Sequence, residues 1–268
     1  MRIYQLDAFA DRLFAGNPAA VCPLTEWLPD ETMLRIAEEN NLAETAFYVP
    51  TDNSGTHFHL RWFTPTVEVD LCGHATLATA YVVFMLEEKP DSQHITFESR
   101  SGPLIVSRDE TGWLTLDFPA DVVQRASLMP PALLSSMGSK PIEAYKGKTD
   151  FMLVYETQAE VEALAPEYRE LANVPARGVI ATAPADADMG CDFVSRFFAP
   201  LTGIDEDPVT GSAHTTLVPY WADRFGKNNL DARQLSARGG FLRCQLSDDE
   251  TRVRIAGQVQ LYMTGEIK

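Results

Sequence analysis

Hydrophobic periodicity divides the first half of the chain into strands and helices. Residues 2–9 and 57–63 alternate between apolar and polar positions, which predicts two strands. Asp30 can cap a helix that extends to about Asn40, because apolar residues recur along it at helical spacing. A tight loop is expected at residues 14–18, which contain glycine, asparagine and proline. Further strands are predicted at residues 45–49, 95–98, 104–107 and 113–118.

Two segments are nearly free of charge and predict helices buried within the protein. Residues 75–86 carry no charged side chain across twelve positions, yet they are too short to span a bilayer. Residues 213–222 have the same character and are interrupted by Pro219. The rest of the second half indicates a surface helix over residues 161–171 and strands at residues 178–183, 193–198, 244–246, 253–255 and 259–263.

A faint internal repeat relates the two halves of the chain. The segment Arg-Trp-Phe-Thr-Pro at 61–65 matches Arg-Phe-Phe-Ala-Pro at 196–200, and an acidic loop follows each copy. A glycine, Gly73 or Gly211, then opens each uncharged helix. The repeat predicts duplicated domains at residues 1–117 and 118–268, with a last strand that can cross back to the first half. Chance similarity between two strand–loop–helix units is the alternative.

Charge limits the partners that the protein can have. The chain has 38 acidic and 22 basic residues, a net charge of −16 at pH 7. A surface this acidic repels phosphate backbones and anionic lipids, which argues against binding to nucleic acid or membranes. It also repels small acids, so a carboxylate site needs local positive potential from helix N-termini or from a few basic groups.

Several classes of site lack their usual motifs. The four cysteines are far apart and form no C-x-x-C pair, so neither a zinc knuckle nor a disulfide framework is expected. The N-terminus shows no signal peptide, and the default location is the cytoplasm. Phosphate-loop, dinucleotide-binding, serine-hydrolase and zinc-protease motifs are absent from the sequence. We therefore expect neither a metal nor a cofactor.

Four polar residues are candidates for acid/base or binding chemistry. Glu44 follows the first helix among apolar neighbours, and desolvation shifts a carboxyl group toward proton transfer at neutral pH. His74 lies at a helix N-terminus, whose positive potential favours a neutral ring. Asp207 precedes a proline and is expected in an extended or turn conformation. Ser212 is a candidate helix cap whose hydroxyl can instead bind a ligand. Each residue also has an ordinary structural explanation. Glu44 can be an exposed acid at a helix end, His74 and Ser212 can be caps, and Asp207 can be a solvated loop acid.

Cys72 is a further candidate, as a thiol base. A two-thiol epimerase needs one acid/base group on each face of the substrate carbon, but the counterpart of Cys72 in the repeat is Thr210. A small buried side chain is the ordinary alternative for Cys72. His57 and His59 alternate on one strand, but no third ligand lies near them in the sequence, so a metal site is not expected there.

Several motifs together resemble the phenazine-biosynthesis isomerase family (PhzF-like). The resemblance runs nearly from end to end and is carried by residues 7–9, 14–21, 41–47, 61–65, 72–76, 207–213 and 238–240, together with Gly257. It implies the α+β fold of diaminopimelate epimerase, in which two pseudo-symmetric domains each wrap a mixed sheet around a central helix.

The same resemblance implies an activity. In that family a glutamate moves a proton between carbons of the substrate, and Glu44 matches it. His74 and Asp207 match further catalytic residues, and the matches for substrate binding are Gly73, Gly211, Ser212 and Asn17. The expectation is a cofactor-independent isomerase of a small carboxylic acid, with its site in the cleft between the halves, and a homodimer, as relatives often are. The alternatives are an epimerase or racemase that uses Cys72 and a non-catalytic binding protein for a small acid.

Overall fold

The residues of the chain group into two compact units. The computed structural model describes all 268 residues, Met1–Lys268. Unit 1 comprises Met1–Asp117 and Ile255–Lys268, and unit 2 comprises Phe118–Arg254. None of the helices combines the length and the apolar character that crossing a membrane requires.

Unit 1 is built on a mixed sheet. Its strands are β1 (Arg2–Ala8), β2 (Asn17–Pro23), β3 (Glu44–Pro50), β4 (His57–Phe63), β5 (Glu68–Val69), β6 (His94–Ser99), β7 (Gly102–Arg108), β8 (Leu114–Pro119) and β17 (Val259–Glu266). From β1 through β2, β3, β4 and β6 to β7, successive pairs are antiparallel, parallel, antiparallel, parallel and antiparallel. The last strand, β17, pairs antiparallel with β1.

Unit 2 repeats this succession of pairings. Its strands are β9 (Gln124–Arg125), β10 (Glu143–Lys146), β11 (Phe151–Val154), β12 (Val179–Pro184), β13 (Phe193–Phe198), β14 (Asn229–Gln234), β15 (Gly240–Leu246) and β16 (Arg252–Gly257). From β10 to β15, successive pairs are again antiparallel, parallel, antiparallel, parallel and antiparallel. The faint sequence repeat therefore corresponds to a repeated strand order.

One helix with a long uncharged stretch lies at the equivalent position of each unit. Helix α2 (Gly73–Tyr81) follows β5 and continues as a π-helical turn, Val82–Leu86, where a single α-helix was expected. Seven consecutive residues of α2, from His74 to Ala80, are buried, and the helix packs on β1, β2, β3 and β17. In unit 2 the counterpart is α6 (Gly211–Phe225), which packs on β14 and β15 and accommodates Pro219.

The remaining helices pack against the sheet of their own unit. Helix α1 (Asp30–Asn40) buries Met33 and Ala37 against Phe47 and Phe63, whose rings meet edge-on at 5.7 Å. In unit 2 a separate core forms beneath three short helices, α3 (Pro131–Ser136), α4 (Gln158–Glu162) and α5 (Tyr168–Leu171). A 3₁₀ turn, Pro200–Thr202, follows β13.

The prediction of one surface helix over residues 161–171 is wrong. The segment contains the last two residues of α4 and the whole of α5, with a non-helical stretch between them, because Pro166 has no N–H to continue the helical ladder. Val161 and Leu171, two of the apolar residues on which the prediction depended, are buried in the core of unit 2. The expected loop at residues 14–18 is also shorter than predicted, since β2 already begins at Asn17.

Candidate functional site

A tight turn places Asn17 at the start of β2. Gly16 has a φ of +68°, and a Cβ there would lie 2.2 Å from the carbonyl oxygen of Ala8, so only glycine fits. Asp7 accepts a hydrogen bond of 2.8 Å from the Phe14 N–H and fixes the turn. Asn17 is fully buried.

Glu44 is the first residue of β3, directly after the chain leaves α1. Asn41 ends α1 in the left-handed conformation, with φ at 48°, and donates its N–H to the Ala37 carbonyl. Glu44 pairs with Ala19 of β2 across a parallel ladder. Side chains alternate along a strand, so Glu44 and Asn17 belong to the same face of the sheet. Glu44 is 8% exposed, so its carboxyl group is buried rather than at an exposed helix end.

His74 and Cys72 come from the start of α2. Cys72 is the N-cap residue, although its side chain caps no N–H, and its carbonyl accepts bonds from both the N–H and the hydroxyl of Thr76. His74 is the second helical residue. Both side chains are buried, so the helix start presents them to the interior of unit 1.

Glu44, His74 and Cys72 meet in one buried cluster. The Oε2 atom of Glu44 lies 3.1 Å from Nε2 of His74, while Nδ1 of the same ring lies 3.5 Å from the Cys72 Sγ. The carboxylate and the imidazole are within ion-pair distance, but the angle between them does not suit a hydrogen bond. Neither Oε2 of Glu44 nor Nε2 of His74 has another hydrogen-bond partner. Two buried polar atoms without aligned partners are the feature expected of groups that face a substrate.

The cluster shifts the proton affinities of its members. Burial, followed by the charge of Glu44, raises the pKa of the Cys72 thiol to about 11, so the sulfur keeps its proton at neutral pH. Burial lowers the pKa of His74, whereas Cys72 and Glu44 raise it, and the balance lies well above 6.5. Because the thiol is uncharged at neutral pH, we attribute this rise to the Glu44 carboxylate.

The expectation of a neutral His74 ring is therefore wrong. That expectation rests on the positive potential at the start of α2, which typically changes the free energy of a nearby charged group by about 0.3–2 kcal/mol. An opposite charge about 4 Å away is worth roughly 4 kcal/mol at an effective dielectric constant near 20. The carboxylate outweighs the helix terminus and favours the imidazolium.

The same three side chains are also the residues that could hold a metal ion. Their ligand atoms all lie within 4.8 Å of one another. A thiolate, an imidazole and a carboxylate are the ligand types of zinc. Binding would require the Cys72 thiol to lose its proton, which its raised pKa opposes.

An arginine anchors the acidic loop in each copy of the repeat. In unit 1 Arg61 of β4 donates from Nε and Nη2 to Glu68, both at 2.7 Å. In unit 2 Arg196 of β13 donates in the same bidentate way to Glu206, at 2.7 and 2.9 Å. The repeated motif thus holds the loop that leads into the uncharged helix, a role that the sequence analysis did not assign.

Asp207 is held at the end of that loop in unit 2. Its N–H donates to the Phe197 carbonyl at 3.0 Å, and its Oδ2 accepts the hydroxyl of Thr210 at 2.5 Å. Gln234, buried on β14, donates to the Asp207 carbonyl and accepts the Thr210 N–H. Thr210 therefore directs its hydroxyl at Asp207, and the solvated-loop explanation does not describe this half-buried carboxylate.

Ser212 does not cap α6, so that expectation is wrong. The helix begins at Gly211 with Thr210 as its N-cap, and Ser212 is already the second helical residue. The Ser212 hydroxyl accepts a hydrogen bond of 2.8 Å from Nη1 of Arg177. The structure thus groups the predicted residues as Asn17, Glu44, Gly73 and His74 in unit 1, and Asp207, Gly211 and Ser212 in unit 2.

Comparison with known proteins identifies the family. A model described as phenazine biosynthesis-like protein matches residues 6–265. The chain belongs to the phenazine biosynthesis-like family. An uncharacterized isomerase of Pseudomonas aeruginosa is 48% identical to this member over 268 residues, which cover 100% of this chain and 98% of that protein.

Solved structures agree with this assignment. A phenazine biosynthesis protein of the PhzF family from Enterococcus faecalis superposes with a TM-score of 0.91 at 43% identity, covering 100% of this chain and 98% of the other. A probable proline racemase from Agrobacterium radiobacter superposes with a TM-score of 0.59 at 11% identity, covering 100% and 92%, and thus shares the fold alone. The predicted family and α+β fold class are confirmed.

Proposed function

We propose that this protein is an isomerase that moves a proton between two carbons of a small carboxylic acid, with Glu44 as the group that carries the proton. One observation supports this most directly. The buried Oε2 of Glu44 and Nε2 of His74 lie 3.1 Å apart and neither makes an aligned hydrogen bond, so both are available to a substrate. The family membership and a close relative named as an isomerase agree with the reaction class.

Each group has a role that suits its chemistry. The Glu44 carboxylate takes a proton from an acidified C–H bond and returns it at another carbon, while the His74 imidazolium orients the substrate and assists as a proton relay. Asp207 acts as a second relay. The proposed substrate-binding groups are Asn17, Ser212 and the first-turn N–H groups at Gly73 and Gly211, since free N–H groups at helix starts attract carboxylates. The reaction as proposed needs no cofactor.

Deuterium exchange tests the proposal. The protein is incubated in D₂O with a panel of small carboxylates that includes dihydro-hydroxyanthranilic acid, the substrate of the family's namesake, and incorporation is followed by mass spectrometry. Wild type should introduce deuterium into at least one compound. Glu44→Gln should slow this about 10²–10⁴-fold, the usual contribution of an acid/base group. Glu39→Gln, which changes an exposed glutamate of α1, should have no effect.

Two outcomes would support other functions. A binding protein would bind a panel member and incorporate no deuterium. An epimerase that uses a thiol would lose activity in Cys72→Ala, whereas the proposed isomerase should retain it, because its mechanism assigns no proton transfer to Cys72. Full activity of Glu44→Gln would refute the assignment of the glutamate.

A further inference from the structure

Arg177 occupies an unusual position beside the start of α6. Its guanidinium is bound on one side by Asp150, through Nε at 2.9 Å and through Nη2, and on the other side by the Ser212 hydroxyl at 2.8 Å from Nη1. The Asp150 side chain is only 2% exposed, whereas that of Arg177 is 38% exposed. The arginine is therefore fixed from the interior of unit 2 while part of it remains open to solvent.

The surrounding backbone keeps this arrangement rigid. Asp150 directly precedes β11 and Arg177 lies two residues before its parallel neighbour β12, and the Arg177 N–H donates to the Thr149 carbonyl. The guanidinium carbon lies 5.3 Å from the centre of the Phe197 ring. A Cβ at Gly178 would lie 2.2 Å from that ring, so the glycine lets the ring approach. Strand ends, a buried carboxylate and an aromatic face together hold the guanidinium.

The contact between Arg177 and Ser212 occupies one of the two acceptor positions of the serine hydroxyl and so fixes its orientation. A guanidinium only donates hydrogen bonds, so Ser212 Oγ must be the acceptor. The hydroxyl then has its O–H left to donate elsewhere. Because Asp150 neutralises the arginine, the guanidinium adds orientation to this site rather than net charge.

We propose that Arg177 is a positioning residue that orients the Ser212 hydroxyl so that its O–H donates to the carboxylate of the substrate. This rests on the proposed function, in which Ser212 binds substrate, and it adds a selectivity: the site prefers a carboxylate over the same molecule without one. A hydrogen bond from the hydroxyl to an anionic oxygen is charge-assisted and stronger than one to a neutral group.

Binding of paired probes tests this inference. Dissociation constants are measured by calorimetry or NMR for 3-hydroxyanthranilate against 2-aminophenol, and for L-proline against pyrrolidine, each pair differing by the carboxyl group. Wild type should bind at least one carboxylate more tightly than its partner. Arg177→Met and Ser212→Ala should each reduce that preference roughly tenfold, and the double variant should lose no more than either alone, because both remove one interaction.

A matched control separates this role from stability. Arg224 also pairs with a glutamate, Glu143, and lies 5.0 Å from the centre of the Tyr220 ring with 41% of its side chain exposed, but it contacts no proposed site residue. Arg224→Met should therefore leave the carboxylate preference unchanged. Equal losses in the Arg177 and Arg224 variants, additive losses in the double variant, or a wild type without any carboxylate preference would each overturn the inference.

The outcomes also separate this inference from the proposed isomerase activity. A preference that depends on Arg177 in a protein that exchanges no deuterium would support the carboxylate site and refute the isomerase. Deuterium exchange that requires Glu44, together with a carboxylate preference that Arg177→Met leaves unchanged, would support the isomerase and refute the role of Arg177.

Discussion

Replacing Gln234 by leucine should destabilise unit 2. The two side chains are similar in size, so the change mainly removes the polar contacts of the amide. Gln234 is 1% exposed. Its Oε1 accepts the Thr210 N–H at 2.8 Å, and its Nε2 donates to the Asp207 carbonyl at 2.7 Å. Leucine offers neither contact, so both ends of the loop that carries Asp207 would lose their anchor.

The size of the loss follows from the burial of the two partners. Thr210 is 7% exposed, so its N–H would be left unpaired away from water, which costs about 1–3 kcal/mol. Asp207 is half-buried, and water can partly replace the lost bond to its carbonyl. We expect the free energy of unfolding to fall by about 2–3 kcal/mol, a roughly 30- to 150-fold change in the unfolding equilibrium.

Urea unfolding followed by circular dichroism measures this effect. The denaturant dependence should stay the same while the midpoint falls, since the surface exposed on unfolding does not change. Gln245→Leu provides the control, because Gln245 is exposed on β15 and should change stability by less than about 0.5 kcal/mol. If Gln234→Leu cost no more than this control, the amide would not hold the loop as described.

Three further changes test other parts of the structure. In Gly257→Ala the new Cβ would lie 2.3 Å from Phe9 and 3.1 Å from Leu77, so overpacking should lower stability by about 1–3 kcal/mol; an unchanged urea midpoint would contradict this. Burial lowers the pKa of His214 to about 4 in the folded protein. Between pH 6.5 and 4 the ring is therefore protonated in the unfolded chain but neutral in the folded one, so the free energy of unfolding should fall as the pH drops through this range. His214→Gln should lessen that fall in urea titrations, and an identical pH profile would count against it. Dialysis against EDTA should leave deuterium exchange unchanged; loss of exchange that zinc restores would indicate a metal at Glu44, Cys72 and His74.

Elements with strong local signals could be predicted from the sequence. The alternation at residues 57–63 corresponds to β4 with the same bounds, and the amphipathic stripe after Asp30 corresponds to α1. The predicted cap is wrong, since Pro29 is the N-cap and Asp30 is already the first helical residue. The glycines of the repeat mark the first residues of α2 and α6. In contrast, β14 was missed, because its buried positions are Leu230, Ala232 and the polar Gln234, a pattern that does not indicate a strand by hydrophobicity alone.

The supporting residues of the candidate site could not be predicted, for a physical reason. Gln234 acts on Asp207 from 27 positions away in the chain, and Arg177 acts on Ser212 from 35 positions away. No local pattern encodes such contacts. The direction of the His74 pKa shift depends similarly on Glu44, a residue on another element, so the helix terminus alone predicts the wrong sign.

The most direct test of proton transfer by Glu44 uses a substrate found in the exchange screen and labelled with deuterium at the carbon that loses its proton. A single turnover is run in H₂O and the label is located by NMR. Because Glu44 is 8% exposed and carries one proton at a time, part of the label should appear at the new carbon of the product. Complete replacement of the label by solvent hydrogen in that first turnover would contradict transfer by one shielded glutamate.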